Sequence, residues 1–357
     1  VSGSRQPWMH LRPGAAALAA AACLAGTGAA SAPTAVGPEA RTIFLSGHSL
    51  LDHPLPDDLA ALLEASGVAI IWDRQHGAGS SLRERVEGAG TDRDGRPTGP
   101  DGGLAGRAYD TLIVTEQHVL PAVLLWNDTV RQLRRLHDRL AAGHPQAVTY
   151  FYTPWMALDD KGDPRRWIAY ERAAAPIWHC VAAAAGSDLA AKGRRDRIET
   201  VPAALALAEL IARVTEGAGL PGFTGASVRE TVELLVADDV HPTRLGSYYL
   251  ALVVYVAITG RSPVGLRVPD DLAPERARAL QDYVAQGLPE AALPDPDTCA
   301  AQLRAGGLDA LWDYVERAHG RPEHGFLRAH WARLRQAVQR RWLLWRQPDW
   351  NPFRPTG

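Results

Sequence analysis

The stretch RTIFLSGHSLLDHP, residues 41–54, decides how the rest of the chain is read. Its first seven residues carry β-branched and aromatic side chains and stop at Ser46-Gly47. That is the pattern of a buried strand followed by a break. Ser49 comes just after the break. A serine there is either a loop residue or a nucleophile, and it is a nucleophile only where a base takes its proton. The choice rests on residues far along the chain.

Outward from this strand, LPDDLAALLEASG (55–67) predicts a helix with Asp near its start and Gly67 as its C-terminal cap. VAIIW (68–72), YDTLIVTE (109–116) and AVTYFYT (147–153) predict further strands. NDTVRQLRRLHDRLAAG (127–143) predicts a helix with Asn127 or Asp128 as its N-cap. Strands that alternate with helices and read as unbroken apolar runs imply a parallel sheet covered on both faces. The expected fold is α/β, a three-layer α/β/α sandwich around a central parallel sheet. Residues 73–108 are rich in Gly and Pro and read as a mobile surface loop; Asp92, Asp94 and Gly95 lack the remaining ligand spacing of a calcium loop. Residues 154–200 read as mostly helical and hold Trp155, Trp167 and Trp178, whose aromatic faces suit stacking on the rings of a sugar substrate, with helix-packing core as the alternative.

After residue 262 the composition shifts to short helical patterns. The expected division is an α/β domain at 41–262 and a helical C-terminal extension at 263–357. The last segment, 326–353, carries Trp331, Trp342 and Trp345 among arginines. It reads as a helix whose aromatic stripe packs on the core, with an interfacial or glycan-contacting surface as the alternative.

The 357 residues carry a formal net charge of −2, which supplies no basic field for nucleic acid. At the N-terminus, Arg5 and Arg12 precede a short run of small apolar residues ending in Ala30-Ser31-Ala32. This predicts a signal peptide at 1–32 and a linker at 33–40, hence an exported protein, periplasmic or secreted. No later stretch is long enough to span a bilayer, so no stable span is expected once the signal is cleaved. Cys180 and Cys299 then remain, and an oxidising compartment allows them to pair, although two buried thiols fit the sequence equally.

The base is found downstream. LLVADDVHPTRLGSYYL (234–250) contains Asp238-x-x-His241-Pro242. A carboxylate three residues before a histidine, on a turn closed by proline, can fix the imidazole tautomer and stabilise the imidazolium. Together with a strand-end serine near the start of an α/β chain, this resembles the SGNH hydrolases, or GDSL esterases. Their Gly-Asp-Ser-Leu block is matched by Gly47-His48-Ser49-Leu50, and their Asp-x-x-His block by Asp238 and His241. The resemblance covers roughly residues 41–260 and implies a flavodoxin-like sheet with Ser49 as nucleophile, His241 as base and Asp238 as its orienting acid. It also implies an oxyanion hole from the N–H groups of Ser49 and of a glycine in QHGAGSSL (75–82), best matched by Gly79 with Gly77 as the alternative. The family's Gly-x-Asn-Asp block is missing: the third strand runs into VTEQHVLP (114–121). Asn127 is the first candidate for the missing donor and Gln117 the second, whereas an ionised Glu116 cannot donate.

His48 replaces the family's Asp and is read as a supporting or substrate-facing group. His53, His76 and His118 sit in loops near the expected mouth, but without a metal-binding spacing. The G-x-S-x-G elbow of α/β-hydrolases fits less well, because Leu51 stands where it needs Gly and the acid lies only three residues from the base. The resemblance implies a serine esterase that needs no cofactor or metal and acts on a small-molecule or polysaccharide ester, most simply the O-acyl group of a carbohydrate. A lipase, arylesterase or thioesterase of the same fold, or a non-catalytic binding protein, are the alternatives.

Overall fold

The computed structural model describes residues 40–99, 102–104, 108–217, 219–290, 294–318, 337–339, 341–342 and 345–354. The expected signal peptide, the linker up to residue 39, and Trp331 lie outside the described residues. Five strands form one parallel sheet: β1 (Arg41–Gly47), β2 (Ile70–His76), β3 (Thr111–Thr115), β4 (Val148–Tyr152) and β5 (Arg197–Val201). Their order is β2-β1-β3-β4-β5. The helices are α1 (Leu55–Ala65), α2 (Leu82–Val86), α3 (Leu120–Trp126), α4 (Thr129–Gly143), α5 (Arg165–Gly186) and α6 (Ala203–Thr215). They continue as α7 (Val228–Glu233), α8 (Arg244–Thr259), α9 (Pro274–Val284), α10 (Pro296–Gln302) and α11 (Leu308–Ala318).

The order places the site. The step from β1 to β2 runs one way across the sheet; the steps to β3, β4 and β5 run the other way. Crossovers between parallel strands are right-handed almost without exception, so α1 falls on one face and α2 to α5 on the other. The packing agrees: α1 lies on α8, and α4 lies on α2 and α5. The expected α/β fold with a parallel sheet between helices is therefore the observed one. The reversal of order sits between β1 and β3, and the crevice beyond the carboxyl ends of such strands is where open α/β sheets hold ligands.

Central strands are apolar throughout because both faces are covered: every residue of β3 and β4 is buried. The edge strands are different. β2 (IIWDRQH) starts two residues after the expected position and continues to His76, and β5 (RIETV) lies in the region expected to be mostly helical. Both keep polar side chains because each is an end strand of the sheet, where helices cover its faces less completely. The stretch expected to be a mobile loop is tied down. His76 and Thr91 exchange backbone hydrogen bonds of 2.8 and 2.9 Å, and the buried Gln75 amide donates to the carbonyls of Arg85 and Ala89, both at 2.8 Å. The Asp92 carboxylate accepts from the N–H groups of Asp94 and Arg96, which makes a turn.

Trp155, Trp167 and Trp178 are fully buried, so the expectation that they offer faces to a sugar is corrected: they are core. The opposite correction holds at the C-terminus, where Trp342 and Trp345 are 55% and 79% exposed and do not pack on the core. The C-terminal part is helical as expected and packs on the α/β body, with α9 on α8, α10 and α11 on α5, and α11 on α3. Cys180 of α5 and Cys299 of α10, both buried, are joined in a disulfide across 119 residues of sequence. Among the described residues no helix is long and apolar enough to cross a membrane.

Candidate active site

Ser49 opens a single 3₁₀ turn, Ser49–Leu51, at the carboxyl end of β1. His241 lies 192 residues away in sequence, yet its Nε2 accepts from Ser49 Oγ at 2.9 Å. Its Nδ1–H donates to Asp238 Oδ2 at 2.7 Å. The other Asp238 oxygen accepts from the N–H groups of Val240 (2.8 Å) and His241 (2.7 Å). Partial desolvation pushes the Asp238 carboxyl up, but these two N–H groups and the imidazole outweigh it and hold the group down at about 2. It is a carboxylate at any ordinary pH, so it fixes the tautomer that leaves Nε2 free to accept a proton.

The turn that carries His241 is held by the helix after it. Thr243 caps α8, its hydroxyl accepting from Gly246 N–H at 3.0 Å. Arg244 clasps Asp58 of α1 at 2.6 and 2.9 Å and reaches Asp271 at 2.6 Å. Gly246 must be glycine, because a Cβ there would stand 2.1 Å from the Leu235 carbonyl oxygen.

Among the described residues no hydrogen bond occupies the N–H of Ser49 or of Gly79, so both are free to donate. Gly79 has φ +64°, which a residue with a Cβ adopts only under strain. The alternative, Gly77, is ruled out as a donor because its N–H is spent on the Gly47 carbonyl at 3.0 Å.

Asn127 is the C-cap of α3, its N–H bonded to the Val123 carbonyl at 3.1 Å. It is not the N-cap of α4; that position is Asp128, with φ 53° and no capping bond. Gln117 follows β3 by two residues, and β3 is the strand paired beside β1, so its backbone lies at the same carboxyl end of the sheet as Ser49. No hydrogen bond engages that amide among the described residues.

Of the two readings of His48, the structure has the supporting one: it is buried, its Nε2–H donating to the Glu116 carbonyl at 2.8 Å and its Nδ1 accepting from Leu50 N–H at 3.4 Å. Burial, with the Arg85 charge second, drives its pKa down to about 3, so it is a neutral staple between β1 and β3. Glu116, also buried, accepts from Leu82 N–H (2.7 Å), Gln117 N–H (2.8 Å) and the Thr129 hydroxyl (2.8 Å). Burial pushes its pKa up, against those N–H groups and Arg85.

In the sequence Arg85 reads as no more than an arginine close after the Gly79 loop. It is wholly buried, and desolvation brings its pKa down to about 10, so it stays charged. It donates to the Ser80 carbonyl at 2.7 Å, to Ser46 Oγ at 3.2 Å and to the Thr115 carbonyl. One guanidinium thus ties the Gly79 loop to the ends of β1 and β3.

The other loop histidines do not join the relay. His53 pairs with Asp57, His76 lies 3.2 Å from Asp52, and the His118 ring stands 6.5 Å from that of His48. A second hydroxyl–imidazole–carboxylate chain, Thr149–His137–Asp196 at 2.8 and 2.7 Å, is buried near the amino end of β4, closed to substrate.

Fold and site together define a class: a parallel α/β protein with a Ser–His–Asp relay at the switch point of its sheet. No family model and no curated protein matches the chain. Among solved structures, it is similar to a DUF4886 family protein from Bacteroides uniformis, with a TM-score of 0.47 and 15% identity over 70% of this chain and 94% of that one.

Proposed function

We propose that the protein is an exported serine ester hydrolase of the SGNH type. The observation that carries this reading is the unbroken chain from Ser49 Oγ to His241 (2.9 Å) to Asp238 (2.7 Å). Ser49 Oγ attacks the ester carbonyl carbon while His241 Nε2 takes its proton. Asp238 stabilises the resulting imidazolium through Nδ1. The carbonyl oxygen, now an oxyanion, is held by the N–H groups of Ser49 and Gly79 and by the Gln117 amide. Collapse breaks the bond to the alcohol oxygen, which leaves with the proton from His241. Water, activated by the same imidazole, then releases the acid and restores Ser49.

The sequence pattern at 1–32 and the Cys180–Cys299 disulfide support export. An O-acyl group on a carbohydrate remains the proposed substrate, supported by export and by the polar residues of the 89–99 loop, but not by the buried tryptophans. The test is hydrolysis of a short-chain aryl ester by the purified protein. Ser49→Ala and His241→Ala should each lower kcat by roughly a thousandfold or more, and the double variant should be little worse than either. Full activity in Ser49→Ala would end the proposal.

A further inference from the structure

We infer that the helical C-terminal extension belongs to the working site: through Tyr314 of α11 it holds the segment that positions His241. This rests on the reading of Ser49 and His241 as the reacting pair.

Burial holds only the start of the turn from Val236 to His241: Val236 is core, but the side chains of Asp238 and His241 are 55% and 44% exposed. Besides the support from α8, the turn is gripped by its carbonyls, and one segment, 155–161, takes four of them. Trp155 Nε1 donates to the Val240 carbonyl at 2.8 Å, and Leu158 N–H to that of Asp239 at 2.7 Å. Lys161 Nζ donates to the carbonyls of Val236 and Ala237 at 3.0 and 2.8 Å.

The segment has no regular structure of its own, so its position comes from what grips it. From α5, Glu171 accepts from Met156 N–H and Trp167 Nε1 donates to the Met156 carbonyl, both at 2.7 Å. From the extension, the Tyr314 hydroxyl donates to the Ala157 carbonyl at 2.8 Å and receives the Asp159 N–H at 3.3 Å. These two contacts flank Leu158, the residue that holds the Asp239 carbonyl. The Tyr314 ring stacks on Tyr170 of α5 at 4.5 Å, and the Cys180–Cys299 disulfide fastens α10 to α5 just upstream. The path from extension to base is thus Tyr314, Ala157–Asp159, Asp239, His241. Tyr314 and Lys161 are positioning residues: neither meets the Ser49–His241 pair, but a shift of the turn would open the 2.9 Å contact with Ser49.

Tyr314→Phe keeps the ring stack and removes only the hydroxyl. Misplacement by about 1 Å costs up to roughly a hundredfold in rate, so kcat and the rate of fluorophosphonate labelling should fall about ten- to a hundredfold while KM moves less than about twofold. Amide hydrogen exchange at 236–241 should quicken. Lys161→Met should do the same from the other side of the segment, and the two losses should not add, because both act through one turn. Wild-type kcat and unchanged exchange at 236–241 in both variants, with only a lowered Tm, would overturn the inference. If the wild-type protein takes no fluorophosphonate label at all, the reading of Ser49 fails instead, and hydrogen exchange still decides whether Tyr314 holds the turn.

Discussion

Acid should weaken this fold through His48. In the native protein its pKa is lowered from 6.5 to about 3, because the ring is buried between β1 and β3 with Arg85 nearby. In the unfolded chain the same imidazole protonates below about pH 6.5. Between these values the unfolded state binds a proton that the folded state refuses, so stability falls as pH falls. The contribution is intact above about pH 6.5, drops by about 1.4 kcal/mol per pH unit below it, and is lost near pH 3, a total of about 5 kcal/mol. At pH 5 the loss is already about 2 kcal/mol. The perturbation is His48→Gln, whose amide can still donate to the Glu116 carbonyl but cannot titrate. Urea unfolding of wild type and variant at half-unit intervals from pH 7 to 4 isolates the effect. Other groups that titrate in both proteins, including the buried His137 with its lowered pKa, cancel in the difference. The wild type should lose stability more steeply than His48→Gln, and the two curves should run parallel above about pH 7. A difference that stays flat down to pH 4 would refute the picture of His48 as a neutral buried staple.

Two further expectations concern the oxyanion hole and the disulfide. Gln117→Ala should lower kcat roughly a hundredfold with KM little changed, as loss of a donor used in the transition state does, whereas Asn127→Ala should leave both constants alone. Steady-state kinetics on the two variants separates them. Replacing Cys180 and Cys299 together by Ala opens a loop of 119 residues and should cost about 5 kcal/mol of stability, read by urea unfolding under oxidising conditions.

What was legible in the sequence followed burial. β1 was read to its ends because Ile43, Phe44 and Leu45 are core and Gly47 breaks the run. α8 announces itself in the same way, as a long apolar stretch after His241-Pro242. β5 was not legible: RIETV alternates polar residues because it is an edge strand, and without the partnership of β4 nothing marks it. The relay could be named because its three residues keep the spacing and order of a known family. The supporting residues could not. Nothing local to Arg85 or Glu116 tells that both are wholly buried and tie three chain segments together; that follows from pairing β1 beside β3. Asn127 ranks ahead of Gln117 in the sequence because it matches the family's donor in residue type and ends the same loop, whereas the helix α3 that lies between them is too short, at seven residues, to be read. The tryptophans misled for a related reason, since aromatic faces look alike in sequence whether they line a cleft or fill the core.

The central claim is that Ser49 is a nucleophile activated by His241. The most direct measurement is labelling of the purified protein with a fluorophosphonate, followed by mass spectrometry of its peptides, across pH 5 to 9. The account predicts one phosphonylated residue, Ser49, with labelling abolished in Ser49→Ala and slowed by roughly a thousandfold in His241→Ala. Absence of label on Ser49 in folded wild-type protein, or labelling that is indifferent to His241, would contradict it.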